Sequence, residues 1–583
     1  MVRSKKGAHD LDFTFRNARL TVTEELRRAH DEKRLARVSR FLVERTCPAC
    51  HGTRLSPEAR EPEIDGRDLA VASAMTLDEL LDWAPRVIDP LPREMHPMAR
   101  GLVEQLVHMA ERLVDLGLGY LCLDRAASTL STGERQRAQL ARAVRNRTTG
   151  VLYVLDEPSI GMHPANIDGL LELIGDLLAD GNSVLVVDHD VQLLREAEEI
   201  LEIGPGAGGD GGTVIAQGPV DAITADPASR LGPFLDGREE DVVRERAAAE
   251  EVFVHGALRL ASDPLHTVRA LDVAVPRGRL TAVTGVSGSG KTTMVLETLV
   301  PALRARSEGR DLPAHVRELE AEDARHVHRI DATPIGVNVR STVATYSGVL
   351  DPLRREFART PAAVERGLTM GDFSYNTGSL RCPRCQGTGR VELDVQFLPD
   401  VDIDCPDCEG GRYAPEAEEI LYRGVALPGL LAATVAEAIE LVGEIPAVRR
   451  TLETLIDLGL GYLTLGEDTP ALSGGEAQRL KLAGQMGRTQ RHAVFVFDEP
   501  SVGLHPLDVR TLVHVLDRLV GSGATVLVIE HDLDLIANAD WVIDMGPGGG
   551  ASGGSIVAEG TPEQIAAADG SLTGRHLARH LKG

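Results

Sequence analysis

The sequence contains few aromatic residues and no long apolar run. Phenylalanine, tryptophan and tyrosine make up 3% of the 583 residues, which argues against a protein that binds single strands by stacking bases on aromatic rings. There is no run of eighteen apolar residues, and the N-terminus lacks the apolar core of a signal segment. These absences predict a cytoplasmic protein without a membrane-spanning segment.

Cysteine is also scarce, but its placement is informative. Six of the seven cysteines stand in CxxC pairs, which suit metal ligation in a reducing compartment better than disulfides. The formal net charge of −26 disfavours a polyanionic partner, so a nucleic-acid surface would have to be local. The charge balance reverses between Arg340 and Arg390, where eight arginines accompany four acidic residues. That segment is either such a surface or a solvated arginine-rich face.

What the sequence does contain is an internal repeat with a spacing of 342 positions. The motifs LSTGERQR and LSGGEAQR place Ser131 at this distance from Ser473, and two DEPS motifs place Asp156 at the same distance from Asp498. A histidine after the next apolar run and a GPG run repeat at the same spacing. Four motifs at one spacing indicate a duplicated module. The motif GVSGSGKT occurs only in the second copy of this sequence.

GVSGSGKT follows the pattern GxxxxGK[ST] and lies between a predicted strand and a predicted helix, the context of a phosphate-binding loop. Its glycines allow backbone N–H groups to face phosphate oxygens at the start of the helix. Lys291 is expected to reach the β- and γ-phosphates of ATP, and Thr292 to ligate Mg²⁺. The predicted nucleotide-binding residues of this loop are Gly285, Ser287, Gly288, Gly290, Lys291, Thr292 and Thr293.

Three further residues complete the predicted chemistry. Asp498 ends an apolar run and is expected to hold the magnesium shell, while Glu499 is placed to polarise the attacking water. His531 follows the next apolar run and is expected to sense the γ-phosphate. Because the corresponding histidine repeats at the same distance from DEPS, a functional role is favoured over a structural one.

LSGGEAQR resembles the signature of ATP-binding cassettes, in which one cassette caps the γ-phosphate held by the other. This resemblance implies a composite site in which the second copy supplies the phosphate loop and the first copy supplies Ser131, Gly133 and Glu134. Thr132 replaces a usual glycine, and a β-branched residue there is expected to slow catalysis. The other composite site has no phosphate loop in this sequence and is expected to be catalytically dead; its residues are Ser473, Gly475, Asp156, Glu157 and His189.

Short apolar runs alternate with helical segments in both copies, which predicts the α/β class with a largely parallel sheet. We therefore predict two ABC-type ATPase cassettes in tandem, with a helical signature-domain insertion and a zinc knuckle. The first cassette, at 1–238, is incomplete and lacks its strand, phosphate loop and helix. A linker or exposed connecting helix at 239–252 leads to a complete second cassette at 253–583, whose insertion at about 295–460 contains the cysteine knuckle at 380–412.

Two cysteine segments are candidates for Zn²⁺. Two pairs, CPRC and CPDC, suit a tetrahedral structural zinc site, with the ligands Cys382, Cys385, Cys405 and Cys408. Cys47 and Cys50 form one similar pair, but cysteines are missing at the positions aligned with a second pair. Two alternatives stay open for this pair: a metal site completed by His30 or His51, or a turn without metal.

The segments PIGVNVRSTVATYSGVLDPLRREFA, GDFSYNTGSLRCPRCQGTGR and VQFLPDVDIDCPDCEGGRY, with the paired motifs, resemble the UvrA family over nearly the whole chain. The members of this family are damage-recognising ATPases of bacterial nucleotide excision repair. The resemblance implies an ATPase without nuclease activity of its own, ATP-dependent homodimerisation on duplex DNA, and binding to damaged or distorted double-stranded DNA. The candidates for DNA phosphate contacts are Arg340, Arg381, Arg384 and Arg390.

The sequence also departs from the family. The family's first phosphate loop, its partner-binding domain and its damage-contacting insertion have no counterpart here, which puts loading of the UvrB helicase subunit in doubt. Ala332 stands where the family usually has glutamine, and this is expected to weaken coupling between the ATP state and DNA binding. The alternatives are a drug-resistance paralogue, a twin-cassette translation factor acting at the ribosome, or a scaffold that binds ATP without hydrolysing it.

Overall fold

The structure is a computed structural model that divides into two compact units, Met1–Ala74 and Met75–Gly583. Ser131 and Ala332 lie outside the residues that it describes, as does His30. The described residues are 2–4, 7–9, 22, 42, 45–130, 132–143, 148–206, 211–239, 242–321, 324–331, 335, 340–393, 401–486 and 490–582.

The smaller unit contains two short antiparallel hairpins, β1 with β2 and β3 with β4, and the turn that carries Cys47 and Cys50. Its elements are β1 (Val2–Ser4), β2 (Gly7–His9), β3 (Glu63–Ile64), β4 (Arg67–Asp68) and α1 (Leu69–Ala74).

In the larger unit, residues 75–238 are called the first half and residues 253–582 the second half. The elements of the first half are α2 (Leu77–Trp83), α3 (His96–Asp115), α4 (Thr132–Ala143), β5 (Leu152–Asp156), α5 (Pro164–Ala179), β6 (Ser183–Val187), α6 (Val191–Leu194), β7 (Ile200–Gly204), β8 (Thr213–Gly218), α7 (Val220–Ala225) and α8 (Gly232–Leu235). Here β5 pairs with β6 in parallel and β7 with β8 in antiparallel orientation, as two separate sheets within the described residues.

The second half begins with two strands of a small sheet and then the strand that leads into the phosphate loop. Its elements as far as the cysteine knuckle are β9 (Ala257–Ser262), β10 (Leu271–Pro276), β11 (Leu280–Thr284), a π-helix (Thr293–Leu299), α9 (Val300–Ser307), β12 (Val316–Glu320), β13 (His326–Ile330), α10 (Val343–Tyr346), α11 (Leu350–Phe357), α12 (Pro361–Glu365), β14 (Arg390–Leu393) and β15 (Val401–Asp404). After the knuckle follow β16 (Leu421–Tyr422), β17 (Val425–Ala426), α13 (Leu427–Ala432), α14 (Val435–Val442), α15 (Pro446–Asp457), α16 (Gly474–Met486), β18 (Ala493–Asp498), α17 (Pro506–Gly521), β19 (Thr525–Ile529), α18 (Leu533–Ala537), β20 (Trp541–Gly546), β21 (Ser555–Gly560), α19 (Pro562–Ala566) and α20 (Leu572–His580).

A six-stranded sheet organises the second half, in the order β13-β18-β19-β11-β20-β21. Strand β11 lies in the middle and runs parallel to both β19 and β20. Every residue of β11 and of β19 is buried, because helices or a second sheet cover both faces. The predicted α/β architecture is confirmed. Strand β13 belongs to this sheet, although it lies inside the insertion predicted at about 295–460. The inserted helices and the knuckle come after Ile330, the last residue of β13.

Equivalent apolar residues of the two halves differ sharply in exposure. Val154 on β5 is 61% exposed, whereas Val496 on β18, 342 positions later, is 0% exposed. The same contrast separates Leu185 on β6, at 53%, from Leu527 on β19, at 0%. In the second half these side chains belong to a core that includes residues of β11, the π-helix and α9. In the first half the equivalent sheet face is exposed.

Residues 242–252, in the predicted linker, form no helix and pack against the second half. The Arg244 side chain is 4% exposed and forms ion pairs with Asp517 at 2.8 Å and with Asp540 at 3.2 Å. The exposed connecting helix considered from the sequence is therefore wrong for these residues. Among the helices that the structure describes, none is long and apolar enough to cross a membrane.

Candidate functional site

The phosphate loop connects the buried end of β11 to the helical segment that begins at Lys291. Gly285 has a φ of +130°, and a Cβ on it would lie 2.0 Å from the Met545 carbonyl oxygen, so only glycine fits there. The Lys291 ammonium is buried and donates to the carbonyls of Gly285, at 2.7 Å, and Val286, at 3.0 Å. This burial lowers the pKa of Lys291 to about 8.

Asp498, predicted to hold Mg²⁺, ends β18, and Glu499, predicted for catalysis, follows it directly. The Glu499 backbone adopts a φ of +47°, and its N–H donates to the Ile529 carbonyl at 3.0 Å. The Glu499 carboxylate lies 3.8 Å from Nε2 of His531, and burial lowers the pKa of this histidine well below its usual value. Burial raises the pKa of Glu499 to about 7, and the carboxylates of Asp498 and Glu530 act in the same direction, although 39% of its side chain is exposed.

The first half closes directly over this loop. Arg137 on α4 donates from Nη1 to the Ser287 hydroxyl at 3.1 Å. The Tyr120 ring lies against the loop, since a Cβ on Gly288 would be 2.7 Å from it, and the Tyr120 hydroxyl donates to Glu134 at 2.5 Å. Residues of the two copies therefore contact each other at the phosphate loop.

Of the other residues predicted for this site, Ser131 lies outside the described residues, and the structure describes Gly133, Gly290, Thr292 and Thr293. Thr292 belongs to the helical segment after the loop and Thr293 begins the π-helix. Gly133 approaches the first-half backbone closely, because a Cβ on it would be 3.2 Å from the Ile160 carbonyl oxygen. Gly290 has a φ of +102°, which a glycine adopts without strain.

Residues of the second predicted site also come together. A Cβ added to Gly503 would lie 3.3 Å from the Glu157 carboxylate. A Cβ added to Gly161 would lie 3.2 Å from the Glu499 carboxylate. Each glutamate thus approaches a glycine of the other half. The His189 ring lies edge-on to that of His505, with 6.0 Å between the centroids. A cavity of about 500 Å³ is lined by Glu157, His189 and Glu499 together with other residues of both halves.

On the signature side of this second site, the backbone N–H of Ser473 donates to Glu476 at 2.7 Å, and the Glu476 N–H donates to the Ser473 hydroxyl at 3.3 Å. Gly475 is buried, and a Cβ on it would lie 3.0 Å from the Leu504 side chain. Asp156 ends β5, and the Gln136 side chain donates to its carbonyl at 2.9 Å.

Tyr120 and Arg137 were not identified from the sequence. Both repeat at the 342-residue spacing, as Tyr462 and Arg479, and the Tyr462 hydroxyl donates to Glu476 at 2.5 Å, as Tyr120 does to Glu134. This repetition outside the known motifs is the signal that could have found them.

The four cysteines of the knuckle form a compact cluster. The sulfurs of Cys382 and Cys405 are 3.9 Å apart, those of Cys385 and Cys408 are 3.7 Å apart, and all four lie within 4.8 Å of one another. Four sulfurs at about 2.3 Å from a tetrahedral zinc ion are about 3.8 Å from each other, so the cluster fits Zn²⁺. The Gly389 N–H donates to the Cys385 sulfur at 3.4 Å.

The Cys47 turn has the backbone geometry of one half of this knuckle. The His51 N–H donates to the Cys47 carbonyl at 2.8 Å, as the Glu409 N–H does to the Cys405 carbonyl at 2.7 Å. Within the described part of the chain, Cys47 and Cys50 belong to no group of three or more possible metal ligands.

The four arginines proposed for DNA contact all have partners within the chain. Arg384 forms an ion pair with Asp407 at 2.9 Å, and both side chains are about half exposed. Arg390 lies 3.9 Å from Asp468. The remaining two donate to backbone carbonyls: Arg340 to Gln386 at 2.9 Å and Arg381 to Asn376 at 3.1 Å.

Comparison with known proteins decides the family. The chain superposes over 97% of its length on the crystal structure of UvrA2 from Deinococcus radiodurans, with a TM-score of 0.87 and 39% sequence identity, and it covers 70% of that chain. The chain belongs to the UvrA family. The resemblance read from the motifs is thereby confirmed, as is the tandem ATP-binding-cassette fold.

UvrA sequences give the same result. The chain is 44% identical over 543 residues to the UvrABC system protein A of Thermus thermophilus, an alignment that covers 92% of this chain and 56% of that protein. It is 41% identical over 565 residues to the corresponding protein of Aquifex aeolicus, covering 96% of this chain and 60% of that protein. The chain thus spans less than two thirds of the length of these UvrA relatives. No protein-family model matches it.

Proposed function

We propose that this UvrA-family chain hydrolyses ATP at the composite site around Lys291 and uses its nucleotide state to control binding to damaged or distorted double-stranded DNA. The observation that carries the ATPase proposal is the hydrogen bond from Arg137 to Ser287. It joins the signature helix of one half to the phosphate loop of the other, the arrangement in which a nucleotide would be enclosed. The names of the relatives in the UvrABC system support the link to excision repair.

In this proposal each residue has one task. The N–H groups of the phosphate loop and the Lys291 ammonium bind the β- and γ-phosphates. Thr292 and Asp498 would hold Mg²⁺, which neutralises phosphate charge when bound. Glu499 accepts a proton from the attacking water, and His531 orients the γ-phosphate. The pKa of Glu499, raised to about 7, allows it to be deprotonated near neutral pH.

The DNA-binding surface is assigned to the arginines around the cysteine knuckle. An exposed ion pair such as Arg384 with Asp407 contributes little to stability, so a DNA phosphate can replace the carboxylate at small cost. A zinc ion held by the four cysteines would brace the loops that present Arg381 and Arg384. Phosphate contacts position a protein on duplex DNA without reading sequence, which suits recognition of distorted shape.

The ATPase proposal is tested with Glu499→Gln and its counterpart Glu157→Gln. Glu499→Gln should abolish phosphate release while fluorescent ATP still binds, and Glu157→Gln should leave release largely intact. Ser131→Arg, placed in the first half, should also block turnover. Identical phosphate release by the wild type and Glu499→Gln would contradict the assignment and favour a scaffold that binds ATP without hydrolysis.

The DNA proposal is tested by fluorescence anisotropy with intact and lesion-bearing duplexes, with and without ATP. We expect salt-sensitive binding that is stronger for the lesion. Arg384→Glu should weaken it, whereas Arg259→Glu, which also breaks an exposed ion pair but lies on β9, should not. Equal affinity for both duplexes at moderate salt would contradict damage recognition.

A further inference from the structure

A chain of buried hydrogen bonds connects the two halves behind the phosphate loop. His163 lies at the start of α5 in the first half and is 0% exposed. Its Nε2 is 3.0 Å from the Thr573 hydroxyl on α20, in the second half. That hydroxyl lies 3.0 Å from one carboxylate oxygen of Asp544, whose other oxygen accepts from the Ser571 hydroxyl at 2.6 Å.

The contacts of His163 set the direction of this chain. Its Nδ1 accepts the N–H of Ala165 at 3.1 Å, and burial lowers its pKa to about 3, so the imidazole is neutral. A neutral imidazole carries one proton, which must then be on Nε2. His163 therefore donates to Thr573, and Thr573 donates to Asp544.

Asp544 lies directly beneath the phosphate loop. On β20 it stands opposite Thr284, the last residue of β11 before the loop. The next residue, Met545, presents the carbonyl against which Gly285 is packed. The Asp544 carboxylate also acts electrostatically on the buried Lys291 ammonium. A displacement of Asp544 would therefore reach the loop through the backbone and reach Lys291 through charge.

The first half does not build the same chain, although it contains related residues. Glu202 is satisfied locally, by the Ser229 hydroxyl at 2.5 Å and the Leu231 N–H at 3.0 Å. Leu231 offers no hydroxyl to a histidine of the other half. The residues 342 positions apart are His505 for His163, Leu231 for Thr573 and Glu202 for Asp544. The connection is thus specific to the site that has a phosphate loop.

We propose that His163 is a positioning residue for ATP hydrolysis, tying the approach of the first half to the seating of the phosphate loop through Thr573 and Asp544. The inference rests on the ATPase function proposed above. Withdrawal of the first half breaks the bond between His163 and Thr573, so the Thr573 hydroxyl loses the donor that orients it toward Asp544. The loop is consequently held in place only while the two halves are together.

Substitutions along the chain test this proposal. Thr573→Val removes the hydroxyl at nearly constant shape, and Thr573→Ser retains it. His163→Asn keeps an acceptor for the Ala165 N–H, but its shorter amide does not reach Thr573. His505→Asn makes the same change in the other half, where His505 accepts the Leu507 N–H at 3.2 Å. All variants are compared with the wild type in steady-state ATP hydrolysis.

Thr573→Val and His163→Asn should each lower kcat about 10-fold, the scale of a lost hydrogen bond in a charged network, with KM for ATP unchanged. Thr573→Ser and His505→Asn should behave like the wild type. The double variant His163→Asn/Thr573→Val should be no slower than either single variant, because both break one connected chain. Wild-type kcat in Thr573→Val, or an equal loss in His505→Asn, would overturn the proposal.

Hydrogen–deuterium exchange supplies a readout that does not require turnover. In a Glu499→Gln background, ATP should protect residues 571–580, and Thr573→Val should remove that protection. If the wild type failed to hydrolyse ATP, the proposed function would be wrong while this comparison would still decide the link. Protection unaffected by Thr573→Val would refute it.

Discussion

The Arg137 guanidinium of the first half donates a hydrogen bond to the Ser287 hydroxyl in the phosphate loop of the second half, at 3.1 Å. Arg137 also donates to the Leu116 carbonyl at 3.4 Å, and its repeat counterpart Arg479 donates to the equivalent Leu458 carbonyl at 3.3 Å. The two arginines thus share a backbone contact within their own half. Only for Arg137 is a bond to a phosphate-loop side chain found among the described residues.

Replacing Arg137 and Arg479 separately distinguishes the effect of the bond to Ser287 from that of the backbone contact that both arginines make. Arg137→Ala should reduce ATP turnover about 10-fold or more, because a hydrogen bond from a charged group to the phosphate loop is lost. Arg479→Ala loses the equivalent backbone contact and should retain most turnover. Phosphate release is measured for both, with thermal unfolding as the check on folding. An equal loss of turnover would mean that the bond to Ser287 has no catalytic importance.

The pH dependence of turnover should report the Glu499 carboxyl. With a pKa raised to about 7 by burial, Glu499 is protonated below that pH and cannot accept a proton from water. The value of kcat/KM should therefore rise with pH through about 7. It should fall again as pH passes about 8, where the buried Lys291 loses its charge. Steady-state phosphate release across this range checks both limbs; a flat profile between pH 6 and 8 would exclude Glu499 as the base.

The knuckle should retain zinc through gel filtration. Cys405→Ser should lose the ion, because Cys405 is fully buried in the four-sulfur cluster. Cys122→Ser is the matched control, since Cys122 belongs to neither CxxC pair of the knuckle. Zinc is measured by mass spectrometry of the purified variants. If Cys405→Ser retained one zinc ion per chain, the knuckle would not be the zinc site. Loss of the ion in Cys47→Ser would then show that Cys47 and Cys50 hold it.

Equivalent leucines of the two halves should differ in their effect on stability. Leu527→Ala empties a fully buried position and should lower the free energy of unfolding by about 2–5 kcal/mol. Leu185→Ala, at the matching position with 53% exposure, should change it by about 0.5 kcal/mol or less. Urea unfolding followed by circular dichroism measures both. Equal losses would show that the exposed sheet face of the first half is covered in solution.

The sequence predicted the features whose signal is local. GVSGSGKT is enough to predict a phosphate-binding turn, because its glycines and Lys291 all lie within eight consecutive positions. The spacing of the CxxC pairs likewise predicts a metal site. The apolar runs at β18 and β19 predict a sheet covered on both faces. The composite pairing of the halves came from resemblance to a family, since no local pattern shows which distant segment meets the loop.

What the sequence did not predict depends on contacts between distant positions. Arg137 and Ser287 are 150 positions apart, and nothing in either neighbourhood indicates that they meet. The arginine-rich segment was identified by its charge, but composition could not show that Arg384 is paired with Asp407, which follows 23 positions later. The link from His163 to Thr573 spans 410 positions and depends on a threonine where the other copy has Leu231.

The exposed apolar face of strands β5 and β6 should also affect the solubility of the protein. Exposed apolar side chains such as Val154 and Leu185 favour association between molecules. The net charge of −26 opposes that association by electrostatic repulsion. Dissolved salt screens that repulsion, and sulfate in addition strengthens contacts between apolar surfaces. We therefore expect concentrated stocks to aggregate more readily as ammonium sulfate is added than in dilute chloride buffers.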